Sequence, residues 1–304
     1  MPGMLSCCCP CSPVLAPGGL SNAVANVRVS KAAPLKESGK DWRIEIASSG
    51  RRMFHTRLAV DATGRTAWLA HRQGAKRISH DHLVGVVSFF SPSPQDRDAG
   101  HYTLVESVED GWWYSAFLPS SDVLTAYMTD ADLYAKGSRA ETDYWRRKLQ
   151  HTKYTSRRVN GLVLASGPLV VAANSSEIDR VAAENWLAVG DAAIAFDPLS
   201  GQGISKALDS GVKAADAIHA YFSGRKSSFD GYAGAIKKCF DNYLAMRNNY
   251  CQREMRWPES PFWQRRHSPI HKKIEGSPAK REGGSSLSAI GSPAKSSKSS
   301  APAC

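Results

Sequence analysis

"NWLAVGDAAIAFDPLSGQGISKAL", residues Asn185 to Leu208, is the stretch whose reading decides the fold. A short apolar run closes on Gly190-Asp191, and a Pro-Leu-Ser-Gly-Gln-Gly turn runs from Pro198 to Gly203. From Ile204 apolar residues recur at three- and four-residue spacing, the period of a helix. A strand ending in Gly-Asp leaves a carboxylate at the carboxyl edge of a sheet, where ligands bind in open α/β folds. That carboxylate suits a polyol hydroxyl, whose hydrogen bond it accepts without being neutralised. Pro198 stiffens the turn, while Gly201 and Gly203 permit positive φ and close approach of backbone to a flat ligand. The helix beginning near Ile204 offers unpaired N–H groups and a positive dipole end to negative charge.

A second stretch, "LAVDATGRTAWLAHR" from Leu58 to Arg72, is a strand ending in Asp61 and followed by Ala-Thr-Gly-Arg. Gly64 permits a tight turn, and Arg65 and Arg72 are candidates to face phosphate. A ligand with a polyol and an electron-rich ring that becomes anionic, such as a reduced flavin, suits the first stretch. Taken singly, each stretch also reads as an ordinary strand end with a turn.

The 304 residues give a prior of roughly two domains. Hydrophobic content of 42% and charged content of 22% are those of a globular chain with a sizeable core. No apolar run reaches the roughly 18 residues of a membrane helix. The net charge of +11 admits nucleic acid or an anionic surface as partner. The excess, however, sits in short runs such as Arg51-Arg52 and Arg146-Arg147-Lys148 and in the Lys-bearing tail. Solvated faces are therefore expected, and nucleic acid is not. Four of the seven cysteines stand in "CCCPC" (Cys7, Cys8, Cys9, Cys11). Adjacent cysteines pair poorly and the total is odd, so no disulfide framework is implied. A leader in a reducing, cytoplasmic setting is the expectation. "SHDH" (His80, Asp81, His82) has no companion ligands at metal spacing and reads as a polar loop.

Along the chain, "AVANVRVS", "DWRIEIAS" and "RMFHTRLAVDATG" alternate and predict a three-stranded meander. "HLVGVVSFF", "HYTLVESV", "GWWYSAFLP" and "VLTAYMTD" predict an antiparallel sheet, and "RAETDYWRRKLQ" an amphipathic helix. A less regular stretch leads to "NWLAVGD". Helices are then expected from Gly203 to a cap at Gly224, and from Phe229 to Met255 with a stop at Pro258. Beyond Ile270 the chain is Ser-, Pro-, Lys- and Gly-rich, with "GSPAK" at Gly276 and Gly291.

Together and in this order, "VDATGR" and "GDAAIAFDPLSGQGI" resemble the flavin-dependent monooxygenase and tryptophan-halogenase-like superfamily, whose fold is that of p-hydroxybenzoate hydroxylase. "DGWWYSAFLP" and "YLAMRNNYCQREMRWPESPFWQRR" narrow the likeness to halogenase-like oxidoreductases, over about Asn22 to Arg266. The resemblance implies an α/β (α+β) fold with an FAD-binding three-layer domain and an antiparallel-sheet substrate domain. The implied division is a leader at 1–21, a first FAD-binding part at 22–80, a substrate sheet at 81–170, a second FAD-binding part with helices at 171–266, and a basic tail at 267–304.

The resemblance further implies that Asp191, after Gly190, bonds the ribityl chain of FAD. Pro198, Gly201, Gln202, Gly203 and Ile204 lie along the pyrimidine side of the flavin ring. Thr63, Gly64 and Arg65 lie near the adenine-dinucleotide half. Trp112, Trp113 and Tyr114 roof the substrate, although core packing serves equally well as their role. The implied reaction is oxygenation of an aromatic substrate, such as an indole, by a flavin C4a-hydroperoxide. Its reductant, NAD(P)H or a flavin reductase, is not specified, and the substrate is a small molecule or a peptidyl aromatic group.

The chain departs from the family first at its amino end: no G-x-G-x-x-G follows a strand to seat the pyrophosphate. The expectation is a copy shortened at its amino end, with an inactive remnant as the alternative to an enzyme. The halogenases' lysine would lie in that segment, and their W-x-W-x-I-P strand reads "GWWYSAFLP" here. Both features favour hydroxylation over halogenation.

Overall fold

The computed structural model describes residues 28–34, 41–47, 51–91, 102–135 and 141–268. The cysteine cluster, the leader and the "GSPAK" tail lie outside the described residues. In chain order the elements are β1 (Arg28–Pro34), β2 (Trp42–Ala47), β3 (Arg51–Thr56), β4 (Ala59–Asp61), α1 (Trp68–Arg72), β5 (Arg77–Ser79), β6 (Leu83–Ser91), β7 (Leu104–Val108), β8 (Gly111–Phe117) and β9 (Val123–Asp130). There follow α2 (Ala131–Ala135), α3 (Glu141–Gln150), α4 (Thr155–Arg158), β10 (Val163–Ala172), β11 (Ser176–Ile178), β12 (Ala182–Ala183), β13 (Trp186–Ala188), β14 (Ile194–Ala195), α5 (Gly203–Phe222), α6 (Ser228–Cys251) and α7 (Pro261–His267).

β1, β2 and β3 make the expected antiparallel meander. The run "RMFHTRLAVDATG" does not stay one strand. Thr56 Oγ1 donates to the Leu58 carbonyl at 2.9 Å, the chain turns, and β4 leaves to pair in parallel with β13. Trp42, fully buried, ties the meander to that pair by donating Nε1 to the Asn185 carbonyl at 2.6 Å.

The antiparallel sheet has the order β10-β6-β9-β8-β7. Successive side chains on a strand point to opposite faces, and here both faces are covered. Val86, Phe90, Trp113, Val123 and Tyr127 pack on one side against Trp145 and Leu149 of α3. Leu83, Trp112, Ala126 and Met128 pack on the other against Phe262 and Trp263 of α7. Two adjacent tryptophans thus serve two cores. A third core gathers β4, β13, α1, α5 and α6 around Leu187, Ala188, Ile236 and Phe240.

Three elements differ from the expectation. β10 occupies the stretch read as irregular, because an edge strand exposed on both sides shows no alternation. α6 ends at Cys251, seven residues before Pro258, where the Cys251 carbonyl accepts from His267 Nε2 at 3.1 Å. α7 was not expected; it starts on Pro261, the position where a missing N–H costs a helix nothing.

Candidate functional site

The two stretches singled out in the sequence meet. β4 and β13 run parallel in register, Ala188 opposite Asp61, and Val189 N donates to the Asp61 carbonyl at 2.9 Å. Both chains therefore emerge from the same carboxyl edge. Asp61 itself is 1% exposed and is consumed by the turn it begins. Its Oδ1 accepts from Thr63 N (3.0 Å) and Thr63 Oγ1 (2.6 Å), and its Oδ2 accepts from Ala70 N (2.8 Å). These bonds, with Gly64 at φ +67°, fold the turn onto α1. Arg65 crosses from this turn to the other stretch. It donates to the carbonyls of Asn174 (2.6 Å) and Phe196 (3.0 Å), and its Nε lies 3.7 Å from Asp191 Oδ2. Arg72 instead lies over the Trp68 ring at 3.9 Å.

On β13's side, Gly190 takes φ +58° and donates to Ser210 Oγ at 2.8 Å. A Cβ there would stand 3.4 Å from the Ala207 side chain, so glycine lets the strand end seat on α5. Asp191 keeps about a third of its side chain exposed (37%). Lys206 Nζ, nearly buried, donates to Asp191 Oδ1 at 2.5 Å and to the Ile194 carbonyl at 2.6 Å. Arg77 donates to the carbonyls of Asp191 (3.0 Å) and Ala192 (3.1 Å). Burial pulls the Lys206 ammonium below its usual range against the pull of Asp191. Burial and then the neighbouring Arg65 bring Arg77 down to about 10. Three cations thus surround one carboxylate.

The turn beyond is held from beneath and open above. Asp197, 2% exposed, caps it by accepting from Leu199 N at 2.9 Å, and its other oxygen lies 3.5 Å from Arg247 Nε. Burial raises the Asp197 carboxyl above the usual range, with Arg247 opposing. Arg247 also pairs with Asp81 at 3.0 Å, and the Phe196 and Tyr243 rings stack at 3.9 Å. Gly201 takes φ +63°, and a Cβ at Gly201 or at Gly203 would meet nothing within 4 Å. Gln202 N-caps α5 without a side-chain bond, so the helix presents its first N–H groups uncapped. Ile204 is 80% exposed. The result is a glycine lip over a positive helix end, beside a carboxylate that a polyol can share.

Other predicted residues lie elsewhere. Trp112 and Trp113 are 3% and 0% exposed, and Trp113 stacks on Tyr127 at 5.0 Å. Neither indole offers an open face to a substrate; of the two roles left open for them, they fill core packing. Tyr114 is half-buried on Trp112's side. His80 Nε2 lies 3.1 Å from Glu177, and Asp81 accepts from Leu83 N and Ser175 N, so "SHDH" ties strands together. Lys206, Arg77, Asp197 and Arg247 went unrecognised in the sequence. The one available signal was a charge on an apolar stripe, as in Phe240-Tyr243-Leu244-Arg247-Cys251 of α6.

No protein-family profile matches the chain. It is 30% identical over 241 residues to a protein of Marinomonas mediterranea assigned as an FAD-dependent oxidoreductase, covering 78% of this chain and 64% of that one. It is 26% identical over 208 residues to a 1H-pyrrole-2-carbonyl-(peptidyl-carrier protein) brominase of Pseudoalteromonas luteoviolacea, covering 65% and 51%. Among solved structures the flavin-dependent halogenase CmlS superposes with a TM-score of 0.70 at 19% identity, over 80% of this chain and 45% of that one. The chain thus spans between half and two thirds of the length of these curated relatives.

Proposed function

We propose, for a chain whose homologues and structural neighbours are FAD-dependent oxidoreductases and halogenases, that the glycine lip and Asp191 hold the ring half of FAD. The observation that carries this reading is the meeting of the Asp61–Arg65 turn with the Gly190–Ile204 stretch at one parallel strand edge. The residues fit the group. Asp191 is partly exposed and its Oδ2, 3.7 Å from Arg65 Nε, can also accept from a ribityl hydroxyl, and a Cβ at Gly201 or Gly203 would meet nothing within 4 Å. Thr63, Gly64 and Arg65 border the side on which the adenine-dinucleotide half would extend.

Bound there and reduced by an external donor, FAD would pass its electrons to O2 and so supply the oxidising equivalent for substitution on an aromatic ring. The chain's own part is electrostatic. Fixed N–H groups and a dipole aimed at developing negative charge act without reorganisation, and Lys206 and Arg77 add positive charge beneath them. A brominase acting on a pyrrole group is among the relatives, and it supports halogenation of a carrier-borne or free aromatic group, rather than the expected hydroxylation, as the proposed reaction.

The test begins with purification in FAD followed by gel filtration. The expected outcome is a retained flavin absorption band, with at least a tenfold weaker dissociation constant for Asp191→Ala. A colourless protein whose melting temperature ignores FAD would overturn the reading in favour of an inactive remnant. With flavin retained, supplying a flavin reductase, NADH, O2 and bromide with a pyrrole or indole substrate distinguishes a brominated product from a hydroxylated one by mass.

A further inference from the structure

Lys206 is a cation set below the reach of a ligand. Its side chain is 3% exposed, against 37% for the Asp191 it holds. Nζ donates to Asp191 Oδ1 at 2.5 Å and to the Ile194 carbonyl at 2.6 Å, and it lies 4.8 Å from the centre of the Phe196 ring. A carboxylate, a carbonyl and an aromatic face thus surround an ammonium with three protons to give. A lysine on a helix ordinarily keeps its head in water; this one is held inward by its partners.

Asp191 is fixed from both ends. Arg77 donates to its backbone carbonyl at 3.0 Å and to that of Ala192 at 3.1 Å, while Lys206 takes one carboxylate oxygen. The other oxygen, Oδ2, stands 3.7 Å from Arg65 Nε, beyond hydrogen-bond distance. A carboxylate has roughly four acceptor sites, so Oδ2 keeps capacity for a donor from outside. A partly exposed aspartate without such anchors turns about its Cα–Cβ bond and loses that freedom when a ligand binds. With Oδ1 tethered, the ordering is complete before the ligand arrives.

We propose that Lys206 is a positioning residue for ligand choice: by tethering Asp191 Oδ1 it reserves Oδ2 for a polyol chain, so that the site prefers a ring carrying hydroxyls over the same ring without them. This role rests on the flavin reading above and adds to it a residue that never touches the ligand. Preference for the ribityl chain then resides in the Lys206–Asp191 pair, whereas affinity for the bare ring resides in the glycine turn and the helix end. Every contact involved is internal and concerns only the ring and its polyol, so whatever seats a pyrophosphate does not enter.

The test uses riboflavin and lumiflavin, which share the ring but not the polyol, with binding read by quenching of flavin fluorescence. The wild type is expected to bind riboflavin roughly tenfold or more tightly than lumiflavin, the scale of one bond to a charged group. In Lys206→Met that ratio should fall to about twofold or less, while lumiflavin affinity stays within about threefold of the wild type. Lys206→Gln, which retains an N–H donor, gives the same readout if Lys206→Met folds poorly. Asp191→Ala should collapse the ratio as far, and the double variant should lose no more than either single one, as for two residues acting as a unit. Equal weakening of both ligands in the Lys206 variants makes the lysine merely structural and overturns the proposal. So does a wild-type chain that retains FAD yet does not prefer riboflavin over lumiflavin. A chain that takes up none of the three overturns the flavin reading itself, and this role with it.

Discussion

Asp191 stands where two strand ends converge, and its charge is shared among Arg65, Lys206 and the helix end behind it. Lys206 is the least expected of these. One turn into α5, it is turned inward, where it satisfies both the Ile194 carbonyl and the Asp191 carboxylate. Lys206→Met leaves a buried carbonyl without its donor and a carboxylate with one partner fewer. The expected loss is about 1–3 kcal/mol of folding stability, read by urea unfolding, and weaker retention of reduced flavin than of oxidised flavin. The sequence pointed to Asp191 because a carboxylate after a strand-end glycine has few other uses. It could not point to Lys206, since a lysine in a helix faces solvent far more often than core. Asp61 shows the converse: its position was legible, but its oxygens are spent on Thr63 and Ala70.

At the scale of elements, β6 to β9 were legible as apolar runs, the later ones set off by turn residues such as Asp110-Gly111 and Ser120-Ser121-Asp122. β10 and α7 were not, the first lacking alternation and the second being only seven residues long. Two predictions belong here. Gly111 begins β8 where a Cβ would lie 2.1 Å from the Met128 carbonyl oxygen, a backbone atom that cannot step aside. Gly111→Ala is expected to cost about 3 kcal/mol and to lower the melting temperature accordingly. α7 is clasped to the end of β9 by Asp130, 1% exposed, which binds Arg266 at 2.8 Å and Arg265 at 2.8 Å. Burial would raise the Asp130 carboxyl, but the two guanidiniums outweigh it and hold it below the ordinary 3.8. The folded chain therefore favours the carboxylate. That contribution is complete above about pH 4 and drains away as pH falls further. Arg266→Met should remove roughly 3 kcal/mol near neutrality, the scale for breaking a buried pair. It should also flatten the loss of stability as pH falls below about 4, measured by denaturant midpoints.

For the whole molecule, Arg247 ties the five-stranded sheet to the glycine turn. It reaches Asp81 at the root of the five-stranded sheet and Asp197 under the glycine turn. Ile204, Leu208 and Val212 lie along one exposed side of α5, 64–80% open, with Val60 of β4 45% open. A ligand bound at the head of α5 stabilises the folded state by mass action. At a hundred times its dissociation constant FAD should add about 2.7 kcal/mol, a rise of roughly 5–10 °C in melting temperature, and Asp191→Ala should abolish most of it. The sequence by itself determined that a strand, a carboxylate, a glycine turn and a helix follow one another at Asn185–Leu208, because strand and helix periods and glycine's backbone freedom are local properties. It also determined four of the five strands of the antiparallel sheet, β6 to β9, because apolar runs and the turn residues between them are local signals. Only the tertiary structure decided that Asp61's strand pairs with Asp191's, that the adjacent tryptophans are divided between two cores, and that Lys206 and Arg247 turn inward. Those outcomes depend on which distant groups come within a few ångströms, and no local pattern carries that distance.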